Sequence, residues 1–315
     1  MQTEEELAKI KPQKEMLVTI GVFDGVHLGH QHLLTYLKNS AQKIGLLSGV
    51  VTFKSHPQST LVTERQMPWL SNLENRASLI RGLGIDVIVA LTFTPELAQL
   101  AARDFVQLLK DYLKMGGLVL GPDFALGKNR EGDIERLRSL GKEMGFSVEV
   151  IPSFVLNGEV VSSTTIRQAL AQGDVSRVEK LLGRPFGLSG TVIPGDKRGA
   201  VLGFPTANLD LNPEQASPSN GVYVTITYIN HEPLPSITNI GTRPTFGGEK
   251  RLAETFLLDY EGQLMGQGLK INLIDKLRNE KRFDNTEQLK SQIGIDIEQA
   301  KIILHKRKGQ KGNLA

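Results

Sequence analysis

Two histidines stand three residues apart around a glycine: His27, Gly29 and His30, within G-V-F-D-G-V-H-L-G-H at residues 21–30. Imidazoles so placed can donate hydrogen bonds to phosphoryl oxygens while charge moves onto a leaving group. Such catalysis is mostly positioning and electrostatics. Gly29 lets the backbone approach a phosphate closely. Zinc is a competing chemistry, but the chain has no cysteine and no H-E-x-x-H. A purely structural histidine pair is the bland alternative. The surroundings favour phosphate. Met16–Val22 is short, apolar and β-branched, which reads as a buried strand. Asp24-Gly25 is a turn pair, and Leu33, Leu34, Leu37 and Ala41 then recur at helical spacing. A strand handing over to a helix presents free N–H groups and the positive end of the helix dipole, a natural seat for phosphate.

The rest of the chain must position that stretch. Its 315 residues correspond to about two domains. A formal net charge of +3 is too weak to imply nucleic acid, though it suits small anionic substrates. The absence of cysteine excludes disulfides, thiolate nucleophiles and Cys-ligated metal, and it fits a reducing compartment. The N-terminal MQTEEELAKIKPQKE has no signal-peptide apolar region, and no run approaches the ~18 apolar residues of a membrane span. The expectation is a cytoplasmic protein with no membrane and no nucleic-acid partner.

The first half alternates strand and helix. Strands are expected at 49–53, 86–93, 117–120 and 147–151, and helices at 73–83, 97–113 (two stretches around Arg103-Asp104) and 134–144. Apolar strands alternating with helices imply a parallel sheet covered on both faces, with ligands at the carboxyl ends of the strands. Past Gly183-Arg-Pro185 the pattern changes to short β-branched runs separated by turns, which suits an antiparallel barrel or sandwich. Asn285 and Gln288 form a capping-box pattern before a last helix, and His305-Lys-Arg-Lys308 reads as a solvated basic end.

In its motifs the first half resembles the HxGH nucleotidyltransferases, and among them the bacterial FAD synthetases. The carriers are G-x-F-D-G-x-H-x-G-H, Thr52-Phe53-Lys-Ser-His56-Pro57, Gly121-Pro-Asp123-Phe124-Ala-Leu-Gly127-Lys128 and Ser162-Ser163-Thr164-Thr165-Ile166-Arg167. The resemblance implies a Rossmann-like domain that moves AMP from ATP onto FMN, with His27 and His30 catalytic. It assigns ATP or flavin contacts to Gly21, Phe23, Asp24, Gly25, Gly29, His56, Asp123, Phe124, Ser162, Ser163, Thr164 and Arg167. Elementary chemistry agrees at the last motif: Ser-Ser-Thr ahead of a helical run offers hydroxyls and N–H groups, and Arg167 can fork onto an anion. Leu126 stands where that family often has an aromatic, and Lys54-Ser55 where Glu and Pro are common.

In the second half, Gly195-Asp-Lys197-Arg198-Gly199 is a basic, glycine-bounded loop suited to covering phosphates. Thr206 and Asn208, two apart in an extended run after Gly203-Phe-Pro205, face the same way. Their hydroxyl and amide oxygens suit Mg2+ bound to ATP. G-F-P-T-A-N resembles the riboflavin kinase motif, and the likeness continues through Gly221-Val-Tyr223, Asn239–Thr245, Glu254–Asp259, Leu277-Arg278 and Gln292–Asp296. It implies a small β-barrel with a C-terminal helix, Glu254 as general base, and ATP or flavin contacts at Gly195, Lys197, Arg198, Gly203, Thr206 and Asn208. Phe256 stands where that family often has His, and Ala200 where Arg is frequent. The whole reads as an adenylyltransferase domain, 1–183, and a riboflavin kinase domain, 184–315. Together they convert riboflavin to FMN and FMN to FAD with ATP and Mg2+. The rivals are an adenylyltransferase with a silent kinase half and a non-catalytic flavin- or nucleotide-binding regulator.

Overall fold

In the computed structural model the described residues are 1–56, 67–195, 199, 202–245 and 248–312. They gather into two units, Met1–Ser163 and Thr164–Ala315.

The first unit runs α1 (Gln2–Ala8), β1 (Met16–Ile20), α2 (Leu28–Lys43), β2 (Leu47–Phe53), α3 (Leu73–Gly82), β3 (Val87–Leu91), α4 (Pro95–Gln99), α5 (Ala102–Leu113), β4 (Met115–Leu120), α6 (Ile134–Met144) and β5 (Ser147–Val150). A small hairpin, β6 (Val155–Leu156) and β7 (Glu159–Val160), follows. The five long strands form a parallel sheet in the order β3-β2-β1-β4-β5. Strand periodicity sends Met16, Val18 and Ile20 to one face, where Leu7 of α1, Phe105 and Leu109 of α5 and Leu137 of α6 cover them. Leu17 points to the other face, against Leu34 and Leu37 of α2 and Ile80 of α3. The break expected near Arg103-Asp104 lies earlier. Leu100, in extended backbone, closes α4, and the Glu131 carboxylate accepts from Ala102 N (2.8 Å) at the start of α5. That carboxylate completes the cap, a partner 29 residues away that local spacing does not reveal.

Helix α7 (Ser163–Gln172) begins at the last residue of the first unit and continues into the second. There follow α8 (Val175–Leu182), β8 (Phe186–Ile193), β9 (Thr206–Leu211), β10 (Gly221–Ile229), β11 (Glu232–Thr245), β12 (Gly248–Leu257), β13 (Gly268–Arg278) and α9 (Thr286–Gly312). The strands close into an antiparallel barrel, β10-β11-β12-β9-β8-β13. Inside it, the buried hydroxyls of Thr227, Ser236, Thr225, Thr238 and Thr255 bond in sequence at 2.7–3.0 Å, so none of these polar groups is left unmet. Outside it, Val222, Val224, Ile237 and Ile274 pack under Ala300 and Leu304 of α9.

Asn285 caps α9, its Oδ1 accepting from Gln288 N at 2.9 Å; the return bond from Gln288 reaches Asp284 N rather than the cap's own N–H. The basic end is not wholly solvated, as its charge had implied. Arg307 is tucked against the Glu179 carboxylate of α8 in a two-point ion pair that fastens the two helices together.

Candidate functional site

The loop between β1 and α2 is held in an unusual backbone. Phe23 (φ 51), Gly25 (φ 79) and Val26 (φ 40) all have positive φ, which for a β-branched valine is strained. The surroundings fix it from several sides. The Asp24 carboxylate accepts from Leu70 N (3.0 Å) and Ser71 N (3.1 Å), and Gly25 N donates to Ser71 Oγ (3.0 Å). Gln31 Nε2 donates to Val26 O (2.9 Å), Thr52 Oγ1 to Val22 O (3.1 Å) and Ser163 Oγ to Asp24 O (3.0 Å).

The loop delivers the histidines. His27 is the N-cap of α2, its Nδ1 accepting from His30 N at 3.3 Å. The two rings stack with centroids 3.6 Å apart, and Phe23 meets the His30 ring edge-on at 5.2 Å. Gly29 is required for packing as well. A Cβ there would lie 3.0 Å from Val161 O and 3.1 Å from the His27 ring. Burial, then the nearby His27 and Arg76, hold His30 well below the ordinary imidazole value, so it is neutral. A cavity of about 150 Å³ opens beside the pair, lined by His27, Gly29, His30, Gly121, Phe154 and Val161 among others.

The sequence-predicted residues divide around this cavity. His27, Gly29 and His30 line it, and Ser163 begins α7 tied to the loop. Phe23 (3% exposed) and Asp24 (3%) are buried supports of the loop, and Gly25 is buried with them. Gly21 and Ser162 are half-buried; a Cβ on Gly21 would press on the Phe23 ring at 3.1 Å. His56 lies 5.5 Å from the Trp69 ring. Asp123 is exposed and Phe124 packs on the sheet core, on the loop after β4. Thr164 and Arg167 continue α7 in the second unit. Pro57 lies outside the described residues. Trp69, Ser71 and Arg76 carry weight here that motif reading missed. The available signal was Arg76 occupying a position of the apolar stripe Leu73, Ile80, Leu83 of its helix.

The second site lies on the outer barrel face. Strand pairing sets Ile193, Asn208, Glu254, Asn239, Val222 and Arg278 in one row, one residue from each strand. Thr206 and Phe256 pair in the next row on the same face. A cavity of about 430 Å³ lies here, lined by Thr206, Asn239, Glu254, Phe256, Arg278 and Asp296 among others. Phe204 meets the Phe256 ring edge-on at 5.6 Å. Arg278 is locked to Asp296 of α9 through Nη2 (2.8 Å) and Nε (3.0 Å), and Gln292 adds a bond to the same carboxylate (2.9 Å). The helix therefore forms one wall of the cavity.

Gly195 backs the Asn208 amide so closely that a Cβ would sit 2.1 Å from it. Gly203 has φ +88, a conformation glycine adopts freely. Lys197 and Arg198, as well as Ala200, lie outside the described residues. The hydroxyl of Thr206 and the amide oxygen of Asn208 are hard, neutral donors on one strand face, which fits Mg2+.

The FAD synthetase family model matches residues 9–165 and the riboflavin kinase model matches residues 182–304. A bifunctional riboflavin kinase/FMN adenylyltransferase of Escherichia coli (strain K12) is 39% identical over 287 residues, covering 90% of this chain and 91% of that one. One from Pseudomonas fluorescens is 38% identical over 306 residues, covering 96% and 98%. The crystal structure of a protein from Streptococcus pneumoniae, described as a macrolide-efflux protein, superposes with a TM-score of 0.89 at 28% identity, over 96% of this chain and 97% of that one. Among the described residues here, no helix is long and apolar enough to cross a membrane. With both domain models matched in order and relatives aligned over nearly their full length, the chain belongs to the bifunctional riboflavin kinase/FMN adenylyltransferase family.

Proposed function

We propose that the two activities of this family are divided between the two sites. The row holding Asn208 and Glu254 phosphorylates riboflavin, and the stacked histidines at the start of α2 transfer AMP to the resulting FMN. The observation that carries this reading is the separation of chemistries. One site has a carboxylate, Glu254, in a cavity with Thr206, and the other has two stacked imidazoles at a helix N-terminus.

In the kinase step Glu254 takes the proton of the riboflavin 5′-hydroxyl as that oxygen attacks the γ-phosphoryl of ATP, and ADP leaves. Thr206 and Asn208 would hold Mg2+, which when bound offsets charge on the phosphates. Phe204 and Phe256 offer apolar ring surface beside the base. In the adenylyl step the FMN phosphate is already an anion and needs no base. It attacks the α-phosphoryl of ATP and pyrophosphate leaves. His27 and His30 donate to phosphoryl oxygens where charge accumulates, and the first turn of α2 adds its N–H groups. Residues 1–183 and 184–315 are the proposed extents of the two catalytic domains.

The test is product analysis. Supplied with riboflavin, Mg2+ and ATP, the chain should form FMN and then FAD. Changing His27 or His30 to Ala should lower FAD formation by ~10² or more while FMN still accumulates. Unchanged FAD synthesis by the double variant refutes the assignment of the histidines.

A further inference from the structure

An ion pair crosses one wall of the barrel-face cavity. Arg278 is the last residue of β13, and Asp296 lies about three turns into α9. Arg278 Nε donates to Oδ1 of the carboxylate (3.0 Å) and Nη2 to Oδ2 (2.8 Å), and Gln292 Nε2 adds a bond to Oδ1 (2.9 Å). Asp296 is 3% exposed. Arg278 Nη1 donates to Asn279 O (3.2 Å), and the guanidinium lies 5.8 Å over the Phe283 ring. The Nε–Nη2 edge, which could fork onto a phosphate, is therefore occupied by Asp296. Enclosing such a pair costs desolvation, and apolar residues of the same volume often serve stability as well or better. The helix has another anchor in any case, since Ala300 and Leu304 pack on Val222, Val224, Ile237 and Ile274. The ion pair acts on the earlier half of α9, which faces the cavity with Leu289 and Ile293.

We propose that Arg278 and Asp296 are positioning residues for riboflavin phosphorylation: their ion pair presets residues 279–285 and the first turns of α9 as an apolar wall, so that a ring seated there delivers its 5′-hydroxyl to Glu254. The proposal rests on the reading that the Glu254 row phosphorylates riboflavin. The cavity is divided as that substrate is. Phe283, Leu289 and Ile293 give it an apolar side, and Thr206, Asn239 and Glu254 a polar one. Arg278 and Glu254 share one row, three strand spacings or roughly 14 Å apart. A flat ring with a five-carbon polyol chain spans such a gap, its ring at the arginine end and its terminal hydroxyl at the carboxylate. The segment is held at its start as well. Glu280 accepts from Asn220 Nδ2 (3.1 Å), and its carboxylate lies where a Cβ on Gly241 would meet it at 2.4 Å. Pinned there by Glu280 and at its far end, through α9, by Asp296, the wall is in place before substrate arrives. Preset geometry of this kind bears on rate more than on stability, because a displacement of about 1 Å can cost ~10²-fold.

The experiment uses the full-length enzyme and follows FMN formation from riboflavin and Mg-ATP. The wild type is compared with Arg278→Lys, Asp296→Asn, Glu254→Gln and the double variant Arg278→Met/Asp296→Leu. The double variant replaces the pair by apolar groups of similar volume, so its thermal midpoint should equal or exceed that of the wild type. Its kcat should nevertheless fall by ~10²-fold, with KM for Mg-ATP and FAD synthesis from supplied FMN unchanged. Asp296→Asn should lose as much. Arg278→Lys should lose less, because it keeps the charge without the fork. Hydrogen exchange of the free wild type should show the amides of 289–293 already protected before riboflavin is added. A stable double variant with wild-type kcat overturns the proposal. So does a raised KM for Mg-ATP at unchanged kcat, which would make Arg278 a phosphate ligand. Free exchange at 289–293 in the wild type until riboflavin binds also overturns it, and decides the matter even if no variant folds. If Glu254→Gln makes FMN at the wild-type rate, the reading of the row has failed instead, and the two failures are told apart by which variant keeps its activity.

Discussion

His27 accepts a backbone N–H at Nδ1, so in its neutral form the proton resides on Nε2. The cap therefore fixes the tautomer, and one side chain both starts the helix and offers a donor. Glu254 is equally constrained, because its strand partners are Asn208 on one side and Asn239 on the other. Replacing Glu254 with Gln preserves shape and removes the basic carboxylate. FMN formation should fall by ~10²–10⁴, with FAD synthesis from supplied FMN intact and Mg-ATP affinity little changed. Separate assays for the two products on this variant check it, and an equally fast variant would show that another group takes the proton. The histidines and Glu254 were legible in the sequence because chemistry-bearing residue types at fixed spacing survive as a linear pattern. Arg76 was not. An arginine in L-E-N-R-A-S-L-I reads as a surface charge, and only the packing of α3 against the sheet shows it to be enclosed.

At the scale of elements, α1 shows what a linear reading omits. Its residues appeared only as a charged N-terminus, and the FAD synthetase match begins at residue 9. In the fold, Leu7 enters the sheet core and Glu6 reaches the ends of β2 and β3. There its carboxylate accepts from Lys54 Nζ, Thr92 N and Thr92 Oγ1, each at 2.7 Å. Burial opposes the charge, but the bonds from Lys54 and Thr92 outweigh it and bring the carboxyl down to about 2. The folded value is depressed, so the stabilisation is present above the unfolded value near 4.5 and is lost as pH falls through about 2. Glu6→Gln should cost about 1–3 kcal/mol at neutral pH, as expected for charge-assisted bonds, and nothing once the carboxyl is protonated. Thermal unfolding at a series of pH values measures this; a cost independent of pH would assign the effect to packing. The alternating strands and helices of the first unit, and the helix 134–144 to its ends, were readable because propensity, period and capping agree there. The choice between barrel and sandwich did not follow from the strand pattern, since strand pairing depends on contacts remote in sequence; the resemblance of the kinase motifs supplied the barrel, and the strands do close into one.

For the whole molecule, the seam matters most. The sequence pattern changes near residue 183, whereas contacts divide after Ser163. The difference is α7 and α8, of which α8 packs on β8 and β13, buries Val175, Val178, Leu181 and Leu182, and receives Arg307 on Glu179. Periodicity marks α8 as a helix but does not say which side it packs on. A fragment 164–315 should fold, phosphorylate riboflavin and make no FAD. A fragment 184–315 should be less stable by about 5 kcal/mol or more, from the apolar surface left uncovered. Denaturant titration of the two fragments compares them; equal midpoints would show that α8 contributes nothing to the barrel.

The row that joins Asn208, Glu254, Asn239 and Arg278 bears on which changes inheritance can accept. Side chains alternate across a strand, so inserting or deleting one codon within β9 or β12 would turn Glu254 or Asn208 into the closed interior, among the hydroxyls of Thr238 and Thr255. Substitutions along these strands can be absorbed one at a time, but length changes cannot. Variation in length among descendants of this gene should therefore collect at turns such as Asn230-His231, where the chain already leaves the ladder. The spacing from Thr206 to Asn208 and from Glu254 to Phe256 should persist even where the residues between them drift.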